Sequence, residues 1–314
     1  MRPVRAVSVG LVIGLAGCLG ACSLGADRWP VDSAVPAAAH AQAAVATPVP
    51  VAVPVAVPVS AGSTPLQSLN GWLFTPSTAA PWPAVVMVHG CGGAFAKDGA
   101  LGARHRMWGE HLAAHGYAAL MVDSFGARGI AQICTTAYAA RTLTSADRVD
   151  DAYAALAYLR QRADIQSQRI ALLGWSHGGG VALDAMTCTR TPSGRFAGAV
   201  AFYPGCTSRN ARAERFHPYA PVLLLIGEAD DWTPAAPCKA LAATVAARGE
   251  PLQIVTYPDT YHDFDNPALK TARVRTEVPN GVRPGEGVTV APNPQAREDA
   301  KHRVLEFLHK HLGP

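Results

Sequence analysis

The chain has 314 residues, with 27 Lys and Arg set against 23 Asp and Glu. So even a charge balance, with no basic cluster, argues against nucleic acid as a partner. The seven cysteines show no C-x-x-C and no metal-ligand spacing, so no metal site is expected.

The N-terminus reads as an export leader. Met1 to Arg5 is basic, and the apolar run Ala6 to Ala16 is too short to cross a bilayer comfortably. Leu15-Ala16-Gly17-Cys18 resembles the bacterial lipoprotein cleavage motif, with Cys18 as the lipidated residue. Leu19-Gly20-Ala21-Cys22 fits the same pattern, and a plain signal peptide is the alternative. Each reading exports the chain, to the periplasm or to a membrane surface through a lipid. Residues 1–22 are therefore assigned to the leader. Residues 23–64 are rich in Ala, Val and Pro, with Pro48 to Pro58 as the clearest repeat. They are expected to form an extended tether, because proline every few residues works against a sheet ladder.

Residues 65–314 carry the folded domain. Leu69 to Phe74 reads as an outer strand and Ala84 to His89 as a buried one, running into Gly90-Cys91-Gly92-Gly93. A helix is predicted over Arg104 to His115, closed by Gly116. Tyr117 to Val122 is the next strand. Ser145 is placed as the cap of a helix whose Val149, Ala152, Tyr153, Leu156 and Leu159 recur at helical spacing. Further strands are read at Ile170 to Leu173, Phe196 to Tyr203, Pro221 to Ile226 and Leu252 to Tyr257. A Gly/Pro-rich loop covers 276–294, and an amphipathic helix runs from Pro294 to His311. Strands alternating with helices imply a single α/β domain with a mostly parallel sheet covered on both faces.

The chemistry is expected at Gly174-Trp175-Ser176-His177-Gly178, a G-x-S-x-G between a buried strand and a helix start. So tight a turn exposes the Ser176 hydroxyl and aims the N–H of His177 at a developing negative charge. The H-G-x-G-G run at His89 resembles the oxyanion loop of esterases, with the N–H of Cys91 as second donor. Ser176 needs a base, His262, and the base needs a carboxylate on its other nitrogen. Asp230 and Asp231 compete for that place. The order serine, acid, histidine is the one α/β-hydrolases use.

Two loops carry a resemblance to the dienelactone hydrolase family. Gly227-Glu228-Ala229-Asp230-Asp231-Trp232-Thr233-Pro234 is similar to its acid loop, and Tyr257-Pro258-Asp259-Thr260-Tyr261-His262-Asp263-Phe264 to its histidine loop. Residue-by-residue matching puts the acid at Asp230. The resemblance spans about residues 66 to 312, including Asp123 to Gly129 and the last helix. It implies an α/β-hydrolase fold acting on small-molecule esters or lactones, with neither metal nor organic cofactor. The family proper carries a cysteine nucleophile where this chain has Ser176, which favours general carboxylesterase chemistry over the dienelactone itself.

Arg128 is a candidate for a substrate carboxylate and Trp232 for the pocket wall. His89 is read as a structural hydrogen-bonder, and His105, His111 and His115 as a solvated helix face rather than a metal site. Cys206 and Cys238 are expected to form a disulfide bracing the acid loop, with Cys134–Cys188 as a weaker pairing. A peptidase or acyltransferase on the same scaffold, or a non-catalytic surface protein that binds a ligand, are the competing functions. The oligomeric state is left open.

Overall fold

The computed structural model describes residues 47–54, 68–187 and 194–313. The leader with Cys18 and Cys22, most of the 23–64 segment, and Cys188 lie outside the described residues. Strands β1 (Val49–Pro54), β2 (Ser68–Phe74), β3 (Trp82–Val88), β4 (Ala118–Asp123), β5 (Ile165–Trp175), β6 (Ala199–Phe202), β7 (Val222–Gly227) and β8 (Leu252–Tyr257) form one sheet. Their order is β1-β2-β4-β3-β5-β6-β7-β8. β1, β2 and β4 are joined antiparallel, and β4 through β8 are parallel. β4, β6 and β7 are buried along their whole length, as strands covered on both faces must be. The helices are α1 (Ala103–Ala114), α2 (Ser145–Arg160), α3 (His177–Met186), the short α4 (Thr207–Asn210), α5 (Ala235–Ala247) and α6 (Pro294–Leu312). The whole is the expected α/β-hydrolase fold.

Register sets what lies at the carboxyl edge of the sheet. Val88 of β3 stands beside Gly174 of β5, Trp175 beside Phe202 of β6, and Gly227 of β7 beside Tyr257 of β8. The residues that follow, from His89, Ser176, Tyr203, Glu228 and Pro258 onward, therefore leave the sheet at one edge. Ligands bind at that edge in open α/β sheets.

Three local expectations are corrected. Part of the Pro-rich segment is strand β1, paired to β2, not tether. A residue's N–H and C=O share one side of a strand, so Val49, Val51 and Val53 can carry the ladder while Pro50 and Pro54 face away from it. Val53 is fully buried, which rewards the pairing. The cap of α2 is Thr144, not Ser145. Its Oγ1 accepts from Asp147 N at 3.2 Å while Asp147 Oδ2 accepts from Thr144 N at 2.8 Å, a capping box. The 276–294 segment is not all loop, since β10 (Val288–Val290) pairs antiparallel with β9 (Arg273–Arg275).

Beneath the carboxyl edge lies an aromatic layer of Trp108, Trp175, Phe202, Tyr203 and Phe264, all buried. His105 of α1 is buried against Trp175, not on a solvated face, and its Nδ1 donates to the Ala94 carbonyl at 3.0 Å. Asp265, fully buried, is the acceptor for this layer. It takes Trp108 Nε1 at 2.8 Å, Trp175 Nε1 at 2.9 Å and the Tyr203 hydroxyl at 2.6 Å. Burial pushes its carboxyl above the usual aspartate range even with these donors in place. Asp265→Ala strands three buried donors and is expected to cost about 3–5 kcal/mol, read as a lowered denaturant midpoint.

Candidate active site

The serine turn is built by steric exclusion. Ser176 has φ 54° and ψ −114°, a backbone state that side-chain-bearing residues avoid. A Cβ on Gly178 would run into the carbonyl oxygens of Val88 and His89, and one on Gly174 into that of Gly178. Only with both positions bare does α3 start this close to β3 and β5. Tyr203, Asp259 and Asp263 also have positive φ, at 35°, 49° and 61°. The unfavourable backbone states thus gather at the carboxyl edge, as they do at functional sites.

His262 and Asp230 are brought together. His262 Nδ1 lies 2.8 Å from Asp230 Oδ2, with both side chains buried. Asp230 is also held by its own loop. Oδ1 accepts from Trp232 N at 2.9 Å and Thr233 N at 2.8 Å, and Thr233 Oγ1 stands 3.1 Å from Oδ2. A carboxylate so supplied keeps Nδ1–H as the donor and leaves Nε2 as the free, basic nitrogen. That Nε2 is buried and has no hydrogen-bond partner among the described residues. His262 lines a small cavity, about 60 Å³, together with Ser176, Cys91 and Trp232. No hydrogen bond joins His262 to the Ser176 hydroxyl in this state of the site. Asp231 points elsewhere and takes Thr289 N at 2.7 Å and Thr289 Oγ1 at 2.8 Å.

The 276–294 segment therefore braces the two loops from behind. Besides Thr289 on Asp231, Val290 bridges to His262, and Ala291 N donates to the His262 carbonyl at 3.2 Å. Asn280, Gly281 and Val282 of the same segment line a larger cavity of about 920 Å³, together with Ser176, His177, Trp232 and Thr233. Trp232 packs its ring 4.7 Å from that of His262 and lines both cavities.

The loop after β3 is pinned covalently. Cys91 is bonded to Cys134, not Cys134 to Cys188, and Ile133 N donates to the Cys91 carbonyl at 2.8 Å. The expected pairing fails because Cys134 lies on the loop that folds over Cys91. Cys91 N–H donates to no backbone acceptor among the described residues. His177 N–H opens α3, where the helix offers no acceptor. Cys206 and Cys238 form the second disulfide and tie the β6 exit to α5.

Arg128 is not at the cavity. Its guanidinium makes a two-pronged pair with Asp151 at 2.8 Å for each contact, and also donates to the Ser124 carbonyl. Buried Asp151 needs that cation more than a surface arginine needs a ligand. Three basic side chains near the serine escaped the sequence reading. Arg104 pairs with Asp263 and with the Tyr203 hydroxyl, Arg275 lies over Trp232, and Arg148 is buried behind the elbow. Only Arg148 left a sequence signal, as a charge on the buried stripe of α2.

His89 donates from Nδ1 to the Gly90 carbonyl at 2.7 Å and accepts at Nε2 from Ser124 N at 3.2 Å, a neutral tautomer that spends both nitrogens on structure. Burial, then the charge of Arg148, lowers its pKa to about 4. Burial and the same arginine lower that of His177 to about 2. His105 is held well below its ordinary value, chiefly by burial.

The family model described as the dienelactone hydrolase family matches residues 69–312. The chain belongs to the dienelactone hydrolase family. Among solved structures it is similar to a dienelactone hydrolase-like promiscuous phosphotriesterase from metagenomic libraries, at 18% identity and TM-score 0.61 over 85% of this chain and 99% of that one. A thermophilic carboxylesterase cloned from a metagenomic library shares 19% identity at TM-score 0.58, over 88% of this chain and 92% of that one. An esterase from the planctomycete Thermogutta terrifontis shares 18% at TM-score 0.52, over 77% of this chain and 88% of that one. No curated protein matches the chain.

Two expectations follow from the site. His89, His105 and His177 stay neutral in the fold but take protons near pH ~6.5 when unfolded. Their folded pKa values are lowered, so their contribution is complete above about pH 6.5 and is lost as pH falls. Each is expected to remove about 1.4 kcal/mol of stability per pH unit, for His89 down to about pH 4, in unfolding curves taken along a pH series. Cys134→Ser opens a cross-link spanning 43 residues. It is expected to cost about 2–4 kcal/mol, with the melting temperature down by roughly 5–15 °C in calorimetry.

Proposed function

We propose that the chain is a serine hydrolase of carboxylic esters or lactones. Ser176 is the nucleophile, His262 the general base and acid, and Asp230 the carboxylate that orients the base. The single observation that carries this reading is His262, with Nδ1 on Asp230 at 2.8 Å, Nε2 without a partner among the described residues, and the residue lining the same cavity as Ser176.

The Ser176 oxygen attacks the carbonyl carbon while His262 Nε2 takes the hydroxyl proton. Asp230 stays ionised and stabilises the imidazolium. The carbonyl oxygen gathers negative charge between the N–H groups of Cys91 and His177. Collapse of this intermediate breaks the bond to the alcohol oxygen, which takes the proton from His262 and leaves an acyl group on Ser176. Water then repeats the sequence. It gives its proton to His262, attacks the acyl carbon and releases the acid, and the proton returns to the serine. The large cavity, with Trp232 on its wall, supplies room for the substrate. Export belongs to the same proposal, with lipidation at Cys18 or Cys22 as its anchored form. The two disulfides support it, since paired cysteines persist in oxidising compartments.

A fluorophosphonate probe is expected to label Ser176, and p-nitrophenyl acetate turnover to vanish in Ser176→Ala. Asp230→Asn is expected to lower kcat on the order of 10³- to 10⁴-fold, whereas Asp231→Asn, which only loosens the brace, stays within about tenfold. Equal losses in the two aspartate variants would reassign the acid.

A further inference from the structure

Arg148 has no part in the reaction as written above, yet it is the fully buried cation nearest the elbow. It projects from the first turn of α2 and reaches two loops at once. Nη2 donates to the His89 carbonyl at 2.6 Å, and Nη1 to His177 Nδ1 at 2.7 Å. The 3.4 Å approach of Nη2 to His89 Nδ1 is not a second bond, because that nitrogen already spends its proton on Gly90. Nε is buried without a partner, and the guanidinium lies 5.1 Å over the Phe125 ring. Among the described residues no carboxylate forms an ion pair with it; Asp151 is bonded to Arg128, and Asp151 and Asp123 support the charge only from a distance. A cation kept so poorly compensated has a use beyond packing.

We propose that Arg148 is a positioning residue of the oxyanion hole: one guanidinium holds the His89 carbonyl on one side and the His177 imidazole on the other, and so sets the spacing between the segments that carry the Cys91 and His177 N–H donors. This role rests on the serine hydrolase reading. The geometry has a second consequence. An arginine can only donate, so His177 Nδ1 is an acceptor and the ring proton sits on Nε2. The ring lines the large cavity. His177 is thus locked as a neutral side chain whose one remaining N–H has no partner among the described residues and can meet a substrate. The charged groups around it, Arg148, Arg141 and Arg209, all oppose its protonation, and neutral His89 does not relieve them.

The test uses the full chain and its Arg148→Lys and Arg148→Met variants. The measurements are kcat and KM on p-nitrophenyl acetate, unfolding curves, and imidazole nitrogen NMR of His177. Arg148→Met is expected to lower kcat about 10- to 100-fold with KM within about threefold, and Arg148→Lys to recover part of the loss, since an ammonium can serve one of the two acceptors. In the wild type the His177 ring stays in the Nε2–H form from about pH 8 to about pH 4, while in Arg148→Met, with the donor to Nδ1 gone, the Nδ1–H tautomer becomes populated and protonation moves to higher pH, still held down by burial, Arg141 and Arg209. A folded Arg148→Met with kcat within about threefold of wild type overturns the role. So does a wild-type His177 that titrates in the ordinary range or carries its proton on Nδ1, and this reading stands even if the methionine variant does not fold. A wild type that neither turns over esters nor takes the fluorophosphonate overturns the hydrolase reading and this role with it. Turnover in the wild type with an unaltered Arg148→Met overturns this role alone.

Discussion

The site depends on one steric fact: helix α3 begins within touching distance of strands β3 and β5. The approach is so close that Gly174 and Gly178 have no room for a methyl group. At that turn Ser176 takes a positive φ of 54° with ψ −114°, a state that residues with side chains avoid. The same closeness lays the first N–H of α3 beside the loop that leaves β3. Cys91 and His177, from distant parts of the chain, thereby line the same cavity. The other loops at the carboxyl edge are held in place around that serine by separate contacts.

Those contacts differ in kind around the site. Asp230 is held by its own loop, accepting from Trp232 N and Thr233 N. The histidine loop is held from outside, by the β10 segment and by Asp231 through Thr289. The loop after β3 is held by a covalent bond and by Arg148. Below them all, Asp265 gathers three donors of the aromatic layer. His89, His105 and His177 are held below the ordinary histidine range by burial, so these three act as fixed hydrogen-bonding pieces and not as charges.

Much of this was legible in the sequence, and the limits have physical causes. A glycine-flanked serine after a buried apolar run can be read because the geometry admits few other residues. Choosing Asp230 over Asp231 needed the family's loop spacing. The structure gives the physical distinction, since one carboxylate meets His262 and its neighbour meets Thr289. Arg128 misled because an arginine beside a presumed pocket looks available until its buried partner, Asp151, comes into view. The Cys91–Cys134 pairing was invisible, because cysteine connectivity depends on which loops fold over one another. Arg148 was visible only as an anomaly, a charge where α2 should be apolar.

The proline-bearing strand at the sheet's rim has a consequence for the molecule among its own copies. An unpaired rim invites another chain to add a strand, and soluble proteins must blunt it. On the outward row of β1, Pro50 and Pro54 have no hydrogen to give, which leaves Ala52 as the lone donor among the three. The outward carbonyls can still accept, but an added strand would receive a single N–H from this stretch, so the ladder it could form is missing most of its donors.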